Sequence, residues 1–192
     1  MPALTSMKSV LWFTAAYTVG LFAYGVAVDS PLAYVYTGIN VLVIAVFLAI
    51  DRWAEFEVWV WWGISLVGLG NMLGGVVLVD GEPLYLAVVV GDIRYDKVFH
   101  ALAGMVFFFV AWEAMKKFAG ENPHRGGLLM FTFLVVMGGG AVVEIAELIG
   151  STVFGTNVGD YGNNALDLVA NAVGALIGLL VVLWLERDRA GD

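Results

Sequence analysis

Long hydrophobic runs separated by short polar breaks account for most of the chain. About 20 apolar residues cross the hydrocarbon core of a bilayer as a helix, and the runs that reach this length predict six spans. The predicted spans are 9–28, 31–50, 56–79, 96–118, 127–153 and 164–186. The apolar piece 84–91 is too short to span and predicts a re-entrant or interfacial segment. We therefore expect an all-α polytopic membrane helical bundle that forms a single transmembrane domain over 1–192.

Composition places the chain far from soluble domains. Of its 192 residues, 61% are hydrophobic and only 14% are charged, as is typical of multi-span membrane proteins. There is no cysteine, which excludes disulfides and thiolate metal sites. The net charge of −8 argues against a nucleic-acid surface. The expected location is a cell membrane, and the expected partners are membrane lipids.

The distribution of Lys and Arg predicts the orientation of the spans, because cytoplasmic loops are enriched in both. With the N-terminus inside, seven basic residues lie on the cytoplasmic face and two lie outside. The inner ones are Lys8, Arg52, Lys116, Lys117, Arg125, Arg187 and Arg189, and the outer ones are Arg94 and Lys97. All seven tryptophans fall near the predicted cytoplasmic ends, as in an interfacial belt. Both termini are therefore expected in the cytoplasm.

Five polar residues from three different spans fall at similar predicted depth near the outer face. They are His100 of the fourth span, Glu144 and Glu147 of the fifth, and Asp167 and Asn171 of the sixth. At a rise of 1.5 Å per residue, Glu144 lies roughly 6 Å below the outer boundary of the hydrocarbon, and Asp167 lies roughly 4–5 Å below it. Ionisable residues at such depth usually face the interior of a bundle and have a function. The counting predicts one polar pocket.

The sixth span carries a stripe at spacings of three and four. Its members are Asn164, Asp167, Asn171, Gly174 and Gly178. The glycines let a neighbouring helix approach closely. We expect that neighbour to be the fifth span, which carries three consecutive glycines at 138–140.

Three motifs in the second half of the chain resemble the VanZ-like and YjdF-like families of multi-pass prokaryotic membrane proteins. They are D-K-x-x-H at 96–100, E-x-x-E at 144–147, and D-x-x-x-N-x-x-G-x-x-x-G at 167–178. The resemblance covers roughly residues 95–180. It implies a cell-envelope context at the outer leaflet of the membrane.

A first interpretation of the pocket is a divalent-metal site. One imidazole with two or three carboxylates suits Mg²⁺, Mn²⁺, Fe²⁺ or Zn²⁺, and the expected ligands are His100, Glu144, Glu147 and Asp167. Such an ion could bind a phosphate-bearing envelope lipid or a lipid-linked substrate, and activate water for hydrolysis or transfer. Without a metal, His100 could act as general base and Glu144 as general acid.

Groups around the pocket are candidates for substrate binding. They are Arg94, Asp96 and Lys97 at the start of the fourth span, Asn171 in the sixth, and Asp160 in the preceding loop. Two alternatives stay open: an ion- or proton-coupled transporter, and a non-catalytic bundle held by a polar clasp. No HExxH, P-loop or G-x-S-x-G motif occurs, so the sequence leaves open whether the protein is an enzyme.

Overall fold

The computed structural model describes residues 6–30, 32–120, 123–154 and 161–189. Within these residues the chain forms six α-helices, one for each predicted span. They are α1 (Met7–Ala27), α2 (Ala33–Ala54), α3 (Val58–Val76), α4 (Tyr95–Phe118), α5 (Arg125–Phe154) and α6 (Tyr161–Arg189). The predicted all-α membrane fold is confirmed, and the largest shift of a helix end is four residues, at the end of α2.

The third helix differs from the others in its surroundings. Among the described residues, five helices are long and apolar enough to cross a membrane, and α3 is not one of them. Its 19 residues include three tryptophans and Asn71, which lower its hydropathy. Nine of its residues are buried, since it packs against both α1 and α2. A helix that faces protein on several sides needs less apolar surface than one that faces lipid.

The helices belong to two compact units, Met1–Phe99 and His100–Asp192. The first contains α1 to α3, the following hairpins and the first turn of α4. The second contains the rest of α4 together with α5 and α6. A single domain over 1–192 stays a prediction.

The first unit is closed by aromatic side chains that lie on the glycines of α3. A Cβ atom added at Gly74 would lie 2.5 Å from the ring of Tyr85, and one added at Gly75 would overlap the ring of Tyr36. The Tyr85 hydroxyl donates to Asn71 Oδ1 at 2.6 Å. These contacts need a helix surface without side chains, which only glycine provides.

A second set of contacts in this unit joins uncharged polar side chains at mid-helix. Thr14 Oγ1 and Ser65 Oγ lie 2.6 Å apart and connect α1 with α3. Asn40 Nδ2 donates to Thr18 Oγ1 at 2.8 Å and connects α2 with α1. Such interhelical hydrogen bonds stabilise bundles in lipid, because an exposed polar group has no water to bind.

The connection between α3 and α4 consists of two short antiparallel hairpins. Strands β1 (Leu78–Val79) and β2 (Glu82–Pro83) pair across Asp80 and Gly81, both of which have positive φ, and Asp-Gly is a strong signal for this kind of turn. A 3-10 turn (Leu84–Leu86) follows, and strands β3 (Val88–Val90) and β4 (Ile93–Arg94) pair next. The segment 84–91 therefore forms no re-entrant helix. Tyr85 packs on α3, and the valines of β3 are exposed.

In the second unit, the glycine stripe of α6 faces a different neighbour from the expected one. A Cβ atom at Gly174 would overlap the carbonyl oxygen of Ala101, and one at Gly178 would lie 2.7 Å from Phe108 Cβ. The expectation that α5 packs on Gly174 and Gly178 is wrong, since Ala101 and Phe108 belong to α4. Helix α5 contacts the same stripe at Asn171 instead, through Gly140. In α5, Gly138 and Gly139 have no atom within 4 Å of such a Cβ. The glycines in the sequence indicate that another helix approaches α6 closely, but they do not identify which helix it is.

The tryptophans also divide into two groups. Trp12 and Trp184 are largely exposed, as expected of side chains that face a membrane interface. Trp61 and Trp112 are only 2% and 5% exposed, so these two rings fill the protein interior instead of an interfacial belt.

The close packing of α6 on α4 is testable with Gly174→Ala. The added methyl must push the two helices apart, which we expect to cost about 1–3 kcal/mol of stability. Gly139→Ala is the matched control, because the space beside Gly139 is open and alanine favours helix by up to about 1 kcal/mol. Thermal unfolding of the purified protein should show a lower Tm for the first variant only, and equal Tm values would contradict this packing.

Candidate functional site

His100 is the centre of a buried polar cluster formed by α4, α5 and α6. Its side chain is 7% exposed. Nδ1 lies 3.4 Å from Asn171 Oδ1 and 3.8 Å from Glu144 Oε1. Nε2 lies 3.7 Å from Asp167 Oδ1. The structure therefore brings together four of the polar residues that were predicted to share one depth.

Glycines on two helices make room for this cluster. A Cβ atom at Gly104 of α4 would lie 2.5 Å from the carbonyl oxygen of Asn171, and one at Gly140 of α5 would lie 2.9 Å from Asn171 Nδ2. Gly104 is one turn after His100, and Gly140 is one turn before Glu144. Both helices can therefore approach α6 at the level of the polar residues.

Asp167 is fully buried, and its two oxygens have different neighbours. Oδ2 accepts a hydrogen bond from Asn163 Nδ2 at 2.8 Å, one helical turn earlier on α6. Oδ1 faces His100. The interaction with Asn163 was not predicted, although the spacing of four residues on one helix is a sufficient signal for it.

Asp96 lies in the first turn of α4, one turn before His100. Lys97 Nζ is 2.7 Å from Asp96 Oδ2. Asp96, His100 and Asp167 each offer one ligand atom, and these atoms lie within 4.8 Å of one another. Among the described residues, this is the group of three that could hold a metal ion.

The remaining predicted site residues have other positions. Glu147 is half-buried one turn after Glu144 and does not belong to the group of three among the described residues. Arg94 is exposed in β4. Asp160 lies outside the described residues. The composition of the potential ligand set therefore differs from the sequence prediction, since Asp96 enters it.

The electrostatics of the cluster favour a positive charge. Asp96, Glu144 and Asp167 carry three potential negative charges, and Lys97 supplies one positive charge. Both nitrogens of His100 face oxygen acceptors, and a neutral imidazole has a hydrogen on only one of them. The nitrogen without a hydrogen has a lone pair, which can bind a metal ion. This arrangement suits a cation bound at one nitrogen while the other nitrogen donates its hydrogen to an oxygen.

His100→Leu tests how far the cluster depends on this ring. The variant leaves Glu144 and Asp167 buried beside an apolar side chain, and removing one partner of buried charges typically costs about 3–5 kcal/mol. The other histidine, His124, is exposed and accepts a hydrogen bond from Gly127 N at the start of α5. His124→Leu should cost about 1 kcal/mol, as for loss of a helix cap. Equal losses of stability in a denaturant titration would show that the cluster does not need His100.

Comparisons with known proteins give one assignment. Residues 9–188 match the family described as "Predicted membrane protein (DUF2238)". No curated protein and no solved structure matches the chain. Because the match covers nearly all of the sequence, including all the residues around His100, the chain belongs to this family of predicted membrane proteins.

Proposed function

We propose that the cluster around His100 binds a divalent cation and, through it, a phosphate-bearing envelope lipid or a lipid-linked substrate. The observation that carries this proposal is the convergence of ligand atoms from Asp96, His100 and Asp167 within 4.8 Å. His100 and Asp167 are buried, so they are shielded from the water that would otherwise stabilise their charges. A divalent ion would balance the excess of carboxylates.

The separation of His100 and Asp167 suits two ligands of one ion. Ligand atoms about 2.1 Å from a common ion, at angles between 90° and 120°, lie about 3.0–3.6 Å apart. The distance of 3.7 Å between Nε2 and Asp167 Oδ1 is close to this range, but too long for a strong direct hydrogen bond. Asp96 completes the set, since its ligand atom lies within 4.8 Å of the other two.

Glu144 and Asn171 have a supporting role in this proposal. They lie on the Nδ1 side of His100, whereas Asp167 lies on the Nε2 side. A metal-bound histidine usually donates its other N–H to a carboxylate or carbonyl oxygen, which orients the ring. Glu144 therefore orients the ligand rather than joining the first coordination sphere, and Glu147 is not required.

Lys97 links ion binding to phosphate binding. It is paired with Asp96 at 2.7 Å, so an ion that takes Asp96 as a ligand competes with the ammonium group. Once released, Lys97 can reach a phosphate that occupies an open position on the ion. Arg94, a few residues earlier and exposed, is a second cation for the same phosphate.

The proposed ligands limit which metal ions the site can bind and which reactions it can support. One nitrogen and two oxygens suit Mn²⁺, Fe²⁺, Zn²⁺ or Mg²⁺. Such an ion polarises a phosphoryl oxygen and can activate water. In a hydrolysis at this site, the oxygen of water would bond to phosphorus and the P–O bond to the alcohol would break. One proton of the water would go to the leaving alcohol, and the other would stay on the phosphate.

We further propose that the site faces the outside of the cell, with both termini in the cytoplasm. The bias of Lys and Arg towards one set of loops supports this orientation. The resemblance to VanZ-like and YjdF-like proteins fits a role in the cell envelope.

Cysteine labelling tests both the orientation and the course of α3. The chain has no cysteine, so Glu57→Cys before α3 and Asp92→Cys after it each create a single thiol at an exposed position. An impermeant thiol reagent on intact cells should label the thiol at 92 and not the one at 57. If both thiols or neither thiol are labelled, α3 does not span the membrane. If only the thiol at position 57 is labelled, the orientation of the chain is the reverse of the proposed one.

Chelation and thermal unfolding test the ion. Removal of metal should lower the Tm, and one of the four ions should restore it, because an ion at 100 times its Kd stabilises the folded state by about 2.7 kcal/mol. Asp167→Asn should abolish the response. Lys97→Gln should lower the apparent Kd of the ion, since it removes the group that competes for Asp96.

Glu147→Gln is the control, because it removes a carboxylate near the same depth but outside the three ligands. Its response to the ion should be unchanged. Protein that contains no stoichiometric metal and ignores both chelator and added ions would leave the polar clasp as the interpretation. An ion response that disappears in Glu147→Gln as well as in Asp167→Asn would favour the four-ligand set predicted from the sequence alone, which includes both carboxylates.

A further inference from the structure

A second polar site lies at the other end of the same helices. It is a pocket of about 320 Å³, roughly 20 Å along α4 from His100. It is lined by Trp112, Lys116, Gly120, Pro123, Arg125, Leu128 and Glu186. These residues belong to the last turns of α4 and α6, the first turn of α5 and the adjoining loop, so the pocket lies where the spans leave the hydrocarbon.

Two basic side chains in this pocket retain free donor capacity. Arg125 Nε donates to Glu186 Oε2 at 3.0 Å, and a guanidinium has four further N–H donors. Lys116 Nζ is 2.9 Å from Glu113 Oε1 and 5.8 Å from the centroid of the Trp112 ring. The side chains of Arg125 and Lys116 are 51% and 40% exposed, so both can turn towards a ligand.

The floor and the charge of the pocket favour an amphipathic anion. Trp112 and Leu128 are almost fully buried and give the pocket an apolar base. The charged residues that line the pocket are Lys116 and Arg125 against one carboxylate, Glu186. Basic pockets between the ends of transmembrane helices suit phosphate head groups of lipids, whose chains stay in the bilayer.

We propose that this pocket binds the phosphate of an anionic membrane lipid through Arg125 and Lys116. A bidentate contact from Arg125 fixes the phosphate, and Lys116 adds a second charge. Glu186 holds Arg125 while the pocket is empty and competes with the lipid for it. The site is separate from the cluster around His100 and depends on neither a metal nor the orientation of the chain.

Lipid titration followed by native mass spectrometry tests the proposal. Purified protein in a neutral detergent is titrated with phosphatidylglycerol, and in parallel with phosphatidylcholine as the zwitterionic lipid. The anionic lipid should bind more tightly to the unmodified protein. Arg125→Gln and Lys116→Gln should each weaken its binding about fivefold, which corresponds to about 1 kcal/mol per basic residue.

Two further variants should affect lipid affinity differently from Arg125→Gln and Lys116→Gln. Glu186→Gln should tighten phosphatidylglycerol binding, because it releases Arg125 and removes a negative charge. Lys117→Gln removes the same charge as Lys116→Gln from the neighbouring position, which does not line the pocket, and should change the affinity by less than twofold. If Lys116→Gln and Lys117→Gln weaken lipid binding equally, the lipid responds to general surface charge. The proposal that the pocket is the binding site would then be wrong.

The source of the phosphate is tested separately. Soluble glycerol phosphate presents the same head group without acyl chains and should fail to displace the lipid at equal concentration. If it binds as tightly as phosphatidylglycerol, the site is for a soluble phosphate ester, and the assignment to a membrane lipid is overturned. No preference between the two lipids, or weakening by Glu186→Gln, would also overturn it.

Discussion

Ionisable side chains inside a membrane protein must be balanced by other groups of the protein, because the surrounding hydrocarbon supplies neither water nor counterions. In the second unit, the buried ionisable side chains surround His100. Its ring lies between Asp167 on one side and Glu144 and Asn171 on the other. Three helices contribute to the cluster, so their relative positions are coupled through a single imidazole ring. The polar cluster is thus both a fold determinant and the strongest candidate for a site.

Glycine provides the geometry that this cluster requires. Gly104 and Gly140 allow α4 and α5 to approach Asn171, and Gly174 lets α6 lie against the backbone of α4. Without a large hydrophobic gain from helix association in lipid, close backbone contact is a main source of stability. The same principle operates in the first unit, where the rings of Tyr85 and Tyr36 pack directly against Gly74 and Gly75. The two units differ in what they bury: described contacts between α1, α2 and α3 use hydroxyl and amide groups, whereas α4 to α6 bury carboxylates and an imidazole.

The two polar sites of the second unit differ in the charged groups that line them. The end that contains His100 and Asp167 has an excess of carboxylates, and the proposed ion there would present positive charge to a phosphate. The pocket at the other end is lined by Lys116 and Arg125 against one carboxylate, Glu186, and its basic groups can bind a lipid phosphate directly. The two proposals therefore use different chemistry for related ligands: coordination to an ion at the first site and charge-assisted hydrogen bonds at the second.

The sequence by itself determined the number and approximate limits of the helices, because the length of an apolar run reports directly on the thickness of a bilayer. It also indicated that His100, Glu144, Asp167 and Asn171 share one depth, since a helix rises by a constant amount per residue. Depth leaves the rotation of each helix undetermined. Only the tertiary structure decided that Gly174 faces α4 instead of α5, that Asp96 lies within ligand distance of Asp167, and that Glu147 lies outside this group. It also revealed the pocket of Arg125 and Glu186, whose residues are some 60 positions apart. Rotation and long-range contact depend on the packing of whole helix surfaces, which no local pattern in the chain encodes.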